Sequence, residues 1–189
     1  TYSWSPATGL SCTACASPTD TVNATTTYVV TGTNALGCVG TDTIKVTMKP
    51  LPAVSAGSDK IICKGSSVGL TATGASTYAW SPSSGLSCTS CANPTVSVTA
   101  TTSYVVTGTD TNGCINKDTV VVKVNPLPTV TAGPDKAACI GSSASLAVSG
   151  ASTYNWSPAT GLSCTTCASP TASPIATTTY TVTGTDTNG

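Results

Sequence analysis

A long internal repeat is the feature that most constrains how this chain can fold. The segment TYSWSPATGLSCTACASPT at Thr1 returns as TYAWSPSSGLSCTSCANPT at Thr77 and as TYNWSPATGLSCTTCASPT at Thr153, each time after 76 residues and without insertion or deletion. The intervening stretches that begin at Pro50 and Pro126 repeat in the same register. A fixed period is typical of arrays in which one structural unit recurs along the chain. The sequence therefore predicts about two and a half copies of one unit.

The composition and patterning of one unit predict β-strands throughout. Thr is the commonest residue, and β-branched residues favour pleated, half-buried strands. Short alternating runs are separated by Gly, Pro and Asn turns at intervals typical of a β-sandwich. Val68, Leu70 and Ala72 alternate with polar or small residues and are expected to line one inner face, as are their counterparts in the next copy. We therefore predict an all-β chain of tandem immunoglobulin-like sandwiches with a period of 76 residues.

Proline-containing segments mark the boundaries between units. Residues 49–52 and 125–128 each follow the last predicted strand of a unit, and proline cannot continue a central ladder. On this division residues 1–49 are a partial unit without its first strands, 50–125 a complete unit, and 126–189 a unit without its last strand; these are called the first, second and third repeats. We expect that the chain either comes from a longer array or receives strands from neighbouring chains, as in donor-strand complementation.

A β-hairpin is expected around the turn Asp110-Thr111-Asn112-Gly113. Tyr104 and Val106 alternate with other residues before this turn, and Val120 and Val122 do so after it. Asn-Gly supplies the positive φ angles that tight turns require, so the two runs are predicted to pair.

The cysteines indicate an oxidising compartment. Ten of them in a chain of 18.5 kDa predict an extracellular protein, secreted or attached to a cell surface. The C-x-x-C motif in each repeat permits zinc binding, redox chemistry or a local disulfide by spacing alone. Zinc needs four ligands, and this chain has no His to complete them. A redox motif needs a helix N-terminus, which an all-β chain does not offer, so the local disulfide is favoured. We predict no metal or cofactor, and local bridges in the pairs Cys12/Cys15, Cys88/Cys91 and Cys164/Cys167.

The other four cysteines fall at two turns of the unit. Cys38 and Cys114 follow the hairpin glycine, whereas Cys63 and Cys139 lie at the turn between the first two strands. In a sandwich these turns lie at opposite ends, too far apart for the Cα separation of about 4.4–6.8 Å that a disulfide needs. Units stacked end to end bring the two turns together, so we predict disulfides across junctions, within a chain or between chains.

The aromatic residues recur at fixed places in the unit and are predicted to be structural. A Tyr-x-Trp strand places a tryptophan where sandwiches bury one in the core, although an exposed aromatic platform for stacking sugars is the alternative. A second tyrosine follows a Thr-rich turn, where a tyrosine corner would bond its hydroxyl to the backbone. The predicted core aromatic residues are Trp4, Trp80, Trp156, Tyr28, Tyr104 and Tyr180.

The charged residues are few and balanced. Seven Lys, seven Asp and a net charge of zero leave no basic surface for nucleic acid, and no apolar run reaches the length of a membrane span. Asp110 and Asn112, like Asp186 and Asn188, offer oxygens to calcium, but without any Glu a turn that bonds its own backbone is favoured. We therefore expect neither nucleic-acid binding nor membrane insertion.

The motifs AGSDKIICKGSSVGL, YAWSPSSGL and TTSYVVTGTDTNGC resemble the PKD-type immunoglobulin-like repeats of large secreted bacterial surface proteins. Such repeats occur in adhesins and stalks exported by gliding, type IX-secreting bacteria. The resemblance implies a seven-stranded sandwich used as spacer, adhesin or fibre, without an active site. In the bacterial group that carries such repeats, Asp-Thr followed by an apolar residue is an O-glycosylation pattern, which makes Thr21, Thr43 and Thr119 candidate acceptors.

These observations together predict a structural protein: a surface filament, fibre or adhesin stalk held by disulfides. Because charged protection of the strand edges is sparse, neighbouring repeats or chains are expected to self-associate. The alternative is a carbohydrate-binding or spacer module of a secreted multidomain enzyme, with surface polysaccharide as partner. Catalysis by this chain is not expected, since general acid and base groups are limited to scattered Asp and Lys.

Overall fold

The computed structural model describes residues 1–21 and 23–187, which form thirteen β-strands and no α-helix. The all-β prediction is therefore confirmed. The strands of the first repeat are β1 (Tyr2–Ser5), β2 (Thr26–Thr33) and β3 (Val39–Val46). Those of the second are β4 (Lys60–Cys63), β5 (Val68–Gly69), β6 (Thr77–Ser81), β7 (Thr95–Val96), β8 (Thr102–Thr109) and β9 (Ile115–Asn125). Those of the third are β10 (Ala144–Ser145), β11 (Thr153–Ser157), β12 (Thr171–Ala172) and β13 (Thr181–Thr185).

The second repeat is a sandwich of two sheets. One sheet has the strand order β4-β9-β8-β6, in which β4 is parallel to β9 and the other neighbours are antiparallel. The other pairs β5 with β7 and is extended by the bridges Ser55–Thr73 and Leu86–Val96. Buried side chains from both sheets form one cluster between them. This arrangement is the immunoglobulin-like sandwich that the sequence predicts.

Alternation along β8 and β9 contributes four buried residues to that core. Tyr104 and Val106 of β8 and Val120 and Val122 of β9 have no exposed surface, while the residues between them face outwards. Each of these side chains contributes roughly 1.5–3 kcal/mol through burial, so this pair of strands carries a large share of the hydrophobic stabilisation.

The predicted strand that contains Val68, Leu70 and Ala72 is less regular than expected. Leu70 and Ala72 are buried as expected, but regular pairing ends at Gly69. Beyond it the N–H of Leu70 donates to the carbonyl of Pro94, and the N–H of Ala72 to that of Ala92. The residue opposite Leu70 is thus Pro94, which has no N–H to donate in return. The regular pairing of the strands is interrupted there, while Leu70 and Ala72 still face the core.

The predicted hairpin joins β8 to β9, with Thr109 paired to Ile115. The expectation of positive φ at the Asn-Gly pair is wrong for Asn112, because the described residues with positive φ are all glycines and Gly113 has a φ of 82°. The N–H of Gly113 donates to the carbonyl of Asp110, and the N–H of Asp110 to that of Cys114. The connection is therefore a turn followed by one left-handed glycine, a common form of longer hairpin loop.

Strand β4 is an edge strand that pairs in parallel with β9. Lys60 pairs with Val122 and Cys63 with Asn125. Residues 136–139, which occupy the corresponding sequence positions in the third repeat, form no strand.

A tyrosine hydroxyl ties each Thr-rich strand to a loop far upstream. Tyr104 donates to the carbonyl of Ser84 at 2.6 Å, and its counterparts Tyr28 and Tyr180 donate to Thr8 and Thr160 at 2.7 and 2.8 Å. The expected bond to the backbone is present, but it spans 20 residues and not the few of a tyrosine corner. Burial raises the pKa of Tyr104, and burial followed by the neighbouring Asp20 raises the pKa of Tyr28. Tyr28 and Tyr104 are fully buried, whereas Tyr180 is half-buried.

Candidate functional site

The C-x-x-C loop of the second repeat lies along the free edge of β6. Cys88 and Cys91 form a disulfide with a Cα–Cα distance of 6.0 Å. The loop between them accepts two hydrogen bonds from Trp80: its N–H donates to the carbonyl of Thr89 at 2.7 Å, and its indole Nε1–H to that of Cys91 at 2.9 Å. The disulfide loop thus holds the core tryptophan and satisfies one backbone N–H on the outer edge of β6.

The same arrangement recurs in the other repeats. Cys12–Cys15 and Cys164–Cys167 are disulfides. The indoles of Trp4 and Trp156 donate to the second cysteine of their own repeat at 2.9 and 3.0 Å. Trp80 and Trp156 are buried in the core, whereas Trp4 is half-buried.

This loop changes the expectation that strand edges are unprotected. The outward N–H of each tryptophan on β1, β6 and β11 is already bonded to the loop, so it is not open to a strand of another chain. Covering an edge in this way is a common protection against edge-to-edge pairing.

The spacing of Trp and the second Cys is the signal that sequence reasoning missed. The interval is 11 residues in all three copies. A constant interval between an aromatic donor and a disulfide loop predicts a contact between the two, which neither motif predicts alone.

No group of three or more His, Cys, Asp or Glu that could hold a metal ion occurs in residues 1–21 and 23–187, and no helix there could cross a membrane. Asn188 of the second Asp/Asn pair lies outside the described residues.

The carboxylate of Asp110 accepts hydrogen bonds from residues of its own turn. Its Oδ1 accepts the N–H groups of Asn112 and Cys114 at 2.7 and 2.9 Å, and its Oδ2 accepts from the Asn112 side chain at 3.2 Å. Partial desolvation acts to raise the pKa of Asp110, but these hydrogen bonds outweigh it and the net pKa is lowered. The carboxylate stabilises the hairpin turn.

Cys63 and Cys114 lie near opposite ends of strand β9. Cys63 pairs with Asn125 at one end of β9, and Cys114 directly precedes the other end. The strand has 11 residues, which at about 3.3 Å per residue places these ends about 35 Å apart. A disulfide between Cys63 and Cys114 of one repeat is excluded by that distance.

Two carboxylates attach the N-terminal part of the second repeat, which contains Ala56 and Asp59 and is called the first segment, to β9. Asp118 accepts the N–H of Ala56 at 2.8 Å on Oδ2 and the N–H of Thr119 at 2.8 Å on Oδ1. Asp59 accepts the N–H of Val121 at 2.9 Å. The bond from Ala56, and then that from Thr119, lowers the pKa of Asp118 despite some desolvation.

The candidate glycosylation acceptors lie on the surface. Thr21, Thr43 and Thr119 are exposed, and the Thr21 hydroxyl donates to the carbonyl of Gly9 at 3.2 Å. Val22, the apolar residue of the first pattern, lies outside the described residues. Modification of these threonines stays a prediction.

The described surface has shallow clefts. The larger has a volume of about 500 Å³ and is bordered by Tyr2, Gly32, Cys38 and Val39 of the first repeat. A second, of about 270 Å³, lies beside Val98 and Thr102. The thiol of Cys38 borders the larger cleft, and hydroxyl and apolar side chains border the smaller one.

No protein-family model matches the chain, and a search of curated proteins found no match. Among solved structures, the chain is similar to the N-terminal eight Ig domains of Down Syndrome Cell Adhesion Molecule, with 15% identity, a TM-score of 0.44, and coverage of 88% of this chain and 32% of that one. It is similar to Drosophila OTK extracellular domains 3–5, with 8% identity, a TM-score of 0.42, and coverage of 87% and 67%. It is also similar to a Ca²⁺-stabilized adhesin with which an Antarctic bacterium binds ice, with 14% identity, a TM-score of 0.30, and coverage of 78% and 48%. The assignment to the immunoglobulin-like sandwiches stands on the strand order of the second repeat.

Replacing Cys88 and Cys91 together by serine tests the contribution of the disulfide loop. Loss of a four-residue ring is expected to lower the free energy of unfolding of the second repeat by at most about 2 kcal/mol. Native-state hydrogen exchange of the β8–β9 amides reports on this repeat alone. Cys38→Ser, at an exposed cysteine outside the disulfides, is the matched control and should leave those amides unchanged. Unchanged exchange in the double variant would show that the loop holds its position without the bridge.

The lowered pKa of Asp118 predicts an acid-sensitive attachment of the first segment. A carboxylate with a lowered folded-state pKa stabilises the fold above its unfolded pKa of about 3.9, and this contribution is lost as the pH falls through the folded value. Asp118→Asn should therefore reduce the melting temperature at pH 7 and flatten its dependence on pH below about 4. The matched variant is Asp42→Asn in the first repeat, where the described contact is with Thr43 alone. Equal effects of the two substitutions on pH dependence would contradict the role given to Ala56.

Proposed function

We propose that this chain is part of an extracellular structural array, a rod, fibre or adhesin stalk, in which the number of repeats sets the length. The units are residues 1–49, 50–125 and 126–189, divided at the proline segments. The path of the chain through the second repeat is the observation that carries the proposal.

That path enters and leaves the unit at opposite ends. The side-chain amide of Asn116, at the start of β9, donates to the carbonyl of Pro52 at 3.0 Å, so the incoming chain lies at this end. The chain leaves at Asn125, at the far end of the same strand. Each added repeat of this kind extends an array by about the length of β9, roughly 35 Å, and does not fold back on its neighbour.

The disulfides and the PKD-type resemblance support a place outside the cell. Three bridges in one chain persist in oxidising compartments. A resemblance to repeats of bacterial surface proteins exported by gliding, type IX-secreting species agrees with a stalk or fibre. A sugar-binding role receives less support, because Trp80 and Trp156 are buried and offer no ring face for stacking.

The cysteines at the ends of the units are proposed to close the joints. Cys38 lies at the incoming end of its repeat, and Cys139 is the counterpart of the cysteine at the outgoing end. Both are exposed. Stacking the outgoing end of one chain on the incoming end of the next brings Cys139 to Cys38. Their two thiols form one disulfide by giving two electrons and two protons to an oxidising disulfide, which is reduced to two thiols.

Incubation of the chain with oxidised glutathione tests the proposed joint. We expect a ladder of disulfide-linked oligomers on non-reducing gels and single-file rods in electron micrographs. Cys38→Ser and Cys139→Ser should each abolish the ladder and leave monomers, since each removes one of the two cysteines that form the joint. Cys114→Ser, which changes a cysteine at an internal junction, should leave the ladder intact. A ladder that persists in both end variants, or globular particles with a wild-type ladder, would contradict head-to-tail assembly.

A further inference from the structure

The beginning and the last strand of the second repeat run side by side in the same direction. The carboxylate of Asp118 accepts the N–H of Ala56 at 2.8 Å, and that of Asp59 accepts the N–H of Val121 at 2.9 Å. The two residues of each contact are 62 positions apart in the chain, and the parallel pairing of β4 with β9 continues with the same offset up to Cys63. Side-chain hydrogen bonds therefore extend the register of β4 backwards to Ala56.

Two further hydrogen bonds lie at the ends of this register. At the incoming end the side-chain amide of Asn116 donates to the carbonyl of Pro52 at 3.0 Å. At the outgoing end the N–H of Lys64 donates to the carbonyl of Asn125 at 2.9 Å. Residues 52–64 are thus bonded along nearly the whole length of β9, and we call this contact the parallel clamp.

The path of the chain fixes how tension acts on the parallel clamp. The chain enters the repeat near Pro52 and leaves it after Asn125, at opposite ends of β9. Tension along the chain therefore pulls residues 52–64 towards the incoming end and β9 towards the outgoing end. Hydrogen bonds between parallel strands are evenly spaced, so this sliding loads them together, whereas a hairpin opened from its free ends loses them one at a time.

The parallel clamp is the weaker of the two contacts that hold β9. Strand β9 shares eight residue pairs with β8 and four with β4. Its Val120 and Val122 are fully buried in the core between the sheets. Under tension the clamp is therefore expected to open before β9 leaves β8, so the side-chain bonds that supplement its four pairs determine when the repeat yields.

From this geometry we propose that the parallel clamp bears tension, so that the second repeat resists force applied through its two ends. Asp118 and Asn116 set this resistance, because each adds a partly buried hydrogen bond to the clamp ahead of the regular pairing of β4. That tension acts on the chain rests on the proposed array function, whereas the resistance is a property of this repeat alone. These two polar side chains thus have a mechanical role in addition to their part in folding.

The order of events predicts which substitutions matter under force. A substitution accelerates unfolding to the extent that its interaction is already lost in the transition state. The bonds of the clamp are lost in that state, while the disulfide loop at β6 is still in place. Removing a bond of the clamp should therefore shorten the lifetime of the repeat under force, and removing the Cys88–Cys91 bridge should not.

Single-molecule force spectroscopy on the full chain, held by its two termini at constant force, tests the clamp. Unfolding of the second repeat is identified by a gain in contour length of roughly 230 Å, the extended length of its 76 residues less that of the folded unit, which exceeds the gain from either shorter unit. Asp118→Ala, which loses a bond to a charged acceptor, should shorten the lifetime of this event about tenfold at equal force. Asn116→Ala loses a neutral bond and should shorten it by a smaller factor. Asp118→Asn keeps an oxygen acceptor and should give an intermediate lifetime.

The matched control is the double variant Cys88→Ser/Cys91→Ser, which removes the bridge beside β6 and leaves every bond of the clamp in place. Its lifetime at equal force should match that of the wild-type chain. Equal lifetimes of the Asp118→Ala and wild-type chains, or equal shortening by the double variant and by Asp118→Ala, would overturn the clamp. The measurement loads no joint between chains, so its result is independent of the glutathione ladder, and failure of the clamp is told apart from failure of assembly.

Discussion

The pairing of β9 with its two neighbours is the interaction on which the rest of the unit depends. On one side β9 forms the hairpin with β8, and on the other it holds β4 in parallel. Its inward valines complete the core, and Asp118 binds the backbone of the first segment. A single strand thus connects both ends and both layers of the sandwich.

The disulfide loop has a different role from that of a general staple. Its ring is small, so its constraint on the unfolded chain is modest. Its position matters more: it places two carbonyls against one tryptophan and covers the edge of β6. Since the outward N–H of Trp80 is already bonded to the loop, pairing of another strand with this edge of the larger sheet is less favoured. The low charge of the chain therefore does not by itself imply sideways aggregation.

The sequence predicted the fold well because repetition made each pattern visible more than once. The alternation in Tyr104, Val106, Val120 and Val122 correctly located the core, since period-two patterning follows directly from strand geometry. The conformation of Asn112 could not be read from the dipeptide, because loop length decides which residue becomes left-handed. The contact between Trp80 and Cys91 was also missed, since a side-chain donor to a carbonyl leaves no mark on hydrophobic periodicity. The cleft beside Gly32 depends on what packs over a sheet, which no local pattern encodes.

Strict repetition also constrains how an array can be built. Because the motifs recur every 76 residues without insertion, successive junctions contain the same residues in the same order. A head-to-tail contact repeated with one geometry generates an open rod or helix, unless its rotation closes a ring. A unit entered at one end of β9 and left at the other translates the chain along the strand direction at each step, which favours the open form. Length then grows with repeat number while each joint is chemically the same. A chain with few charged groups and no His, Arg or Glu is suited to such a role, because the fold requires only patterning, turns and a small set of fixed contacts.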